Sequence, residues 1–191
     1  MKTKNGRSGL AMAAIALLAF SAAPQAREVG AGARAVRGAH GGVAAGGAYR
    51  VQGDNGTAAG GVRGWRGPQG AGGVTARRYR NDGEGNASGG HVHAYERPNG
   101  NTGYRAGQFE KNADGSASRT SEAERHTQQG TLERSSTGTR DAEGNTSYQR
   151  DTTLTGTAGN TIESQLTREN GTVTRSVTCN GGECPKPGEA P

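Results

Sequence analysis

The sequence predicts a mainly β protein, an extended antiparallel meander of repeats about fifteen residues long with a thin core. Three observations carry that expectation. A glycine with a turn-forming or polar neighbour returns at near-constant spacing, the residues between turns alternate in polarity, and large apolar side chains are scarce.

The turn signal recurs at Gly56, Gly70, Gly85, Gly100, Gly115, Gly130, Gly144, Gly159 and Gly171, at intervals of 14 or 15 residues until a final 12. Pairs such as Asn55-Gly56, Asn99-Gly100 and Asp114-Gly115 suit tight turns, because glycine takes positive φ without a steric cost. Between them lie segments such as Thr172-Val173-Thr174-Arg175-Ser176-Val177-Thr178, whose period of two and β-branched residues argue strands. An aromatic followed by a charge precedes several turns (Trp65-Arg66, Tyr79-Arg80, Phe109-Glu110), which puts ring and charge on opposite sheet faces. A hairpin about Gly100 sets Tyr95 opposite Tyr104 and His93 opposite Ala106. Two other architectures suit the same spacing: a β-solenoid of fifteen-residue coils, and a largely disordered chain. The solenoid needs inward apolar residues in every coil, and 115–129 offers only alanines.

Four segments follow. Residues 1–26 read as a signal peptide: Lys2, Lys4 and Arg7 precede the apolar run Leu10–Phe20, and small residues allow cleavage between 21 and 26. The run is shorter than the ~20 residues a bilayer-spanning helix needs, so no transmembrane anchor is expected. Residues 27–48, rich in Gly and Ala, read as a flexible linker, and 49–178 as the β-repeat region. In the tail, 179–191, Cys179 and Cys184 pair as a small disulfide clasp in an oxidising compartment. The expected location is therefore periplasmic, secreted or at the cell surface. A signal followed by short Gly-turn repeats is similar in pattern to exported repetitive surface proteins of bacteria.

The chemistry is that of a binding surface. No nucleophile elbow, phosphate loop or zinc-protease motif occurs, and the pairs Glu122/Glu124 and Asp141/Glu143 have no core to form a pocket around them. We expect no catalytic residue and no cofactor. His91 and His93 share a face of one strand and become metal ligands only if a third group such as His126 joins them. The Asp/Asn/Gly turns lack the spacing of calcium loops. Arg63, Arg66, Arg77, Arg78 and Arg80 cluster around Trp65 and Tyr79, a combination suited to a polyanion: surface polysaccharide, lipopolysaccharide phosphate or extracellular DNA. The leading expectation is an exported, non-enzymatic repeat protein with a structural or adhesive role, able to self-associate through its sheet edges. The alternative is a polyanion-binding module centred on 63–80.

Overall fold

The computed structural model describes residues 26–38, 41–180 and 184, so the signal segment lies outside it except for Ala26. Eleven strands form one antiparallel sheet in strict chain order. They are β1 (Ala26–Arg37), β2 (Val43–Gly53), β3 (Gly56–Arg66), β4 (Gly72–Asn81), β5 (Ala87–Glu96) and β6 (Thr102–Lys111), followed by β7 (Ala117–Thr127), β8 (Gly130–Arg140), β9 (Thr146–Gly156), β10 (Thr161–Glu169) and β11 (Thr172–Asn180). The meander holds, and no solenoid coil is needed to account for the described residues.

Every one of the nine glycines in the repeat has positive φ, from 78° at Gly100 to 141° at Gly130. Their turns differ in length. Gly53 pairs with Gly56 and Glu169 with Thr172, leaving two-residue loops, and in the second both Asn170 (φ 46°) and Gly171 (φ 93°) are left-handed, as a type I′ turn requires. At Arg97–Asn101 the Gly100 amide donates to Arg97 O at 2.9 Å and the Arg97 amide to Asn101 O at 2.8 Å. Pro98 and Asn99 occupy the turn and Gly100 the left-handed bulge position. This centres the hairpin on Asn99 and slips the expected register by one residue. Tyr95 therefore opposes Gly103, not Tyr104, and His93 opposes Arg105, not Ala106.

The stretch expected as a flexible linker is instead strand. Residues 26–37 and 43–53 pair along their length, and β2 pairs in turn with β3. Gly and Ala have low intrinsic β-propensity, but a ladder on each side of β2 supplies partners for its backbone groups. The turn between them uses Gly41, at φ 82°, in the same way as the later repeats.

The sheet is one layer thick. Among the described residues no hydrophobic side chain is buried, and each strand packs only against its sequence neighbours. β1 and β11 are its two edges. The apolar economy is local: aromatic rings lie over glycines on the adjoining strand. A Cβ built at Gly89 would come within 2.5 Å of Phe109 Cε1, one at Gly73 within 2.8 Å of Trp65 Nε1, and one at Gly60 within 2.6 Å of Tyr49 Cε1. Tyr95 covers Gly103 in the same manner. Glycine alone is a poor strand residue, and the ring restores the missing packing and shields the backbone. Gly89→Ala would also meet Arg78 O at 2.9 Å. We expect it to lower stability by about 1–2 kcal/mol in urea titration, against the usual gain from adding a side chain to a strand.

Carboxylates cap the turns. The Asp82 carboxylate accepts from the Glu84 and Asn86 amides, and Asp141 accepts from the Asn145 amide and side-chain Nδ2, both at 2.8 Å. Asp114 accepts from the Ser116 amide at 2.8 Å. Hydrogen bonds from Asn86, Ser116 and Asn145 hold these three carboxyls below the ordinary value of 3.8. Because the folded value is depressed, the stabilisation is complete above the ordinary value and is lost as pH falls through the depressed one. The melting temperature should thus fall below pH 4, and a combined Asp82→Asn, Asp141→Asn variant should lose part of that acid dependence.

Candidate functional site

Opposed residues in an antiparallel pair project to the same side, and successive residues alternate. The register therefore sorts every strand side chain onto one of two faces. On one face Trp65, Tyr95, Leu132, Leu154, Ile162 and Cys179 lie in one cross-strand row, with Gly73, Gly103 and Arg125 between them. Tyr79, Phe109 and Tyr148 lie in a second row on that face, separated by Gly89, Arg119 and Gly138. Tyr79 and Phe109 lean together over Gly89, with ring centroids 6.3 Å apart. Arg97, in the turn, sits 5.6 Å from the Tyr95 ring centroid.

Between these rows run the cations. Arg63, His93, Arg105 and Arg134 fall in one row, and Arg77, His91, Arg150 and Arg175 in the next. Lys111, Arg140 and Arg168 extend the same face. From β5 onward it holds no strand carboxylate. Those carboxylates lie opposite: Glu96 and Glu110 on β5 and β6, Glu122 and Glu124 on β7, Glu133 on β8, Asp151 on β9, and Glu163 and Glu169 on β10. Among the described residues no arginine of the basic face has a carboxylate in ion-pair range.

The acidic side is self-contained. Glu124 directly opposes Glu133, a like-charge pair. His126 Nε2 sits 2.5 Å from Glu124, and the Tyr104 hydroxyl donates to Glu122 at 2.9 Å, which raises the phenol above its ordinary value. Around these stand hydroxyls and amides, including Ser135, Thr153 and Gln165, the last donating to Asp151 at 3.1 Å. On β2–β5 the same side carries Val43, Val62, Val74 and Val92 together with Arg66, Arg78, Arg80 and Glu96.

The expected polyanion cluster is split by this geometry. Arg63, Trp65, Arg77 and Tyr79 stand together on the basic face, whereas Arg66, Arg78 and Arg80 project to the opposite side. His91 and His93 share the basic face as expected. His126 projects from the other face, so it cannot join them, and no group of three metal-binding side chains exists among the described residues. The larger part of the basic face, from Arg105 to Arg175, is absent from the sequence-based cluster because its members are spread over six strands. The expected disulfide between Cys179 and Cys184 is formed, with Cα atoms 5.5 Å apart.

No family model, curated protein or solved structure matches the chain. Among the described residues no helix is long and apolar enough to cross a membrane.

Proposed function

We propose that the protein is an exported, non-enzymatic adhesive sheet that holds an anionic polymer, an acidic polysaccharide in the first instance, against its basic face. The observation that carries this reading is the segregation itself. From β5 onward every strand guanidinium stands on one side together with the rings of Tyr95, Phe109 and Tyr148, and the strand carboxylates occupy the other. Arginine forks onto sulfate, carboxylate or phosphate, and flat exposed rings (Trp65 is 43% exposed) stack against sugar rings or bases. An open sheet suits a long ligand better than a small substrate. The disulfide clasp and the basic N-terminal segment before its apolar run support export.

The test is retention of the purified protein on immobilised heparin at low ionic strength, with elution that moves steeply with salt. Absence of retention at low salt overturns the reading. Equal binding to single-stranded DNA would reassign the ligand to nucleic acid.

A further inference from the structure

The two faces of the sheet match each other as well as an outside ligand. We propose that a second copy of this chain stacks on the first in the same orientation, the acidic side of one sheet against the basic side of the next. The argument rests on both halves of the sheet. On β7–β10 one side presents Glu124, Glu133, Asp151 and Glu163, while the other presents Arg125, Arg134, Arg150 and Arg168. On β3–β6 the first side presents Val62, Val74 and Val92, and the second presents Trp65, Tyr79, Tyr95 and Phe109. Superposing copies in one orientation therefore sets acid against base on β7–β10, while on β3–β6 Val74 falls beside the Trp65 and Tyr95 row and Val62 and Val92 fall between the two cation rows. Arg66 and Arg78 stand on the first side beside these valines, and the Trp65 and Tyr79 rows of the facing copy offer them cation–π contacts.

Area is sufficient. Strands about 4.8 Å apart and residues rising about 3.3 Å make the face of β5–β11 alone roughly 1,100 Å², above the ~800 Å² per partner of a stable interface. The rings and the arginine stems supply the favourable burial, because desolvated ion pairs nearly break even and contribute orientation instead. The directly opposed Glu124 and Glu133 repel each other in an isolated sheet and are relieved by a facing guanidinium. Because the contact joins two different surfaces, each added copy leaves one of each free, so the stack is open-ended.

Sedimentation velocity of the purified protein across concentration, at low and high salt, is the test. We expect concentration-dependent growth without a fixed end state, at least tenfold weaker at high salt. A Glu124→Gln, Glu133→Gln variant should stay monomeric at concentrations where the parent assembles, yet keep its heparin retention. Removing a like-charge pair does not threaten the fold, so loss of assembly there reports the interface. The control Glu84→Gln, Glu143→Gln makes the same net-charge change in turns and should assemble like the parent. A parent that stays monomeric at low salt overturns the proposal. So does a Glu124/Glu133 variant that assembles unchanged, which would point to pairing through the β1 and β11 edges. Soluble heparin occupies the basic face and should dissolve the stacks. Stacking that fails while heparin retention survives leaves the polyanion reading intact, and the reverse outcome separates them equally.

Discussion

Replacing Arg134, Arg150 and Arg175 with Gln should abolish heparin retention above roughly 100 mM salt, with affinity at 50 mM falling on the order of 100- to 1,000-fold. All three side chains stand on the basic face, in two adjacent rows of β8, β9 and β11. Each cation that neutralises an anionic group releases a counterion, so the log–log salt slope should drop by about one per arginine removed. The matched comparison is Arg66→Gln, Arg78→Gln, Arg80→Gln. It removes the same formal charge from residues adjacent in sequence to Trp65 and Tyr79, but from the opposite side of the sheet. If binding follows the face, the first variant loses its salt-sensitive retention and the second keeps most of it. If binding follows net charge or the local cluster at 63–80, the second loses as much or more. Salt-titrated heparin elution, with circular dichroism to confirm an intact sheet, separates the two.

The difference between cluster and face marks what a sequence of this kind discloses. Turn positions were legible because glycine is the residue that takes a left-handed conformation freely, and each of the nine spaced glycines has one. The earliest unit was also within reach. Gly41 precedes Gly56 by the same fifteen residues, but the Gly/Ala content of 30–48 masked the strands, which form through pairing with β3 more than through propensity. The faces were legible only within a strand. Extending them across the sheet requires the parity of every hairpin, and one residue of slip sends each side chain to the other side. The turn at Pro98-Asn99-Gly100 is an instance. Its register lies one residue from the expected pairing, so Tyr95 covers Gly103 on the basic face while Tyr104 projects with Glu122 on the acidic one. Loops of different length, as at Asp54-Asn55 and at Gly67–Ala71, make a uniform parity rule fail.

Ala106→Pro, in the middle of β6, should be the most damaging single substitution, costing on the order of 3 kcal/mol. Proline removes a ladder donor and strains the pairing on both sides, with Val92 of β5 and Glu122 of β7 directly opposite. In a protein with a shared core, such a loss spreads to every element that touches the core. Here each strand contacts only its sequence neighbours, so coupling runs in one dimension, as in repeat arrays. The damage should therefore stay beside the break and divide the sheet into a β1–β5 unit and a β7–β11 unit. Native-state hydrogen exchange reads this directly. In the parent, protection should peak in β5–β8 and decline toward β1 and β11, whose outer backbone groups have no strand partner among the described residues. In the variant, β6 should lose protection, two separate maxima should replace the single one, and the denaturant transition should broaden because the halves no longer unfold together. A single sharp transition, shifted to lower denaturant with uniform loss of protection, would mean that contacts beyond nearest neighbours bind the sheet into one cooperative unit. The disulfide joins only Cys179 to Cys184 at one margin, so it couples nothing across the break. The predicted division thus depends on the thinness of the sheet, the same property that leaves both of its faces open to partners.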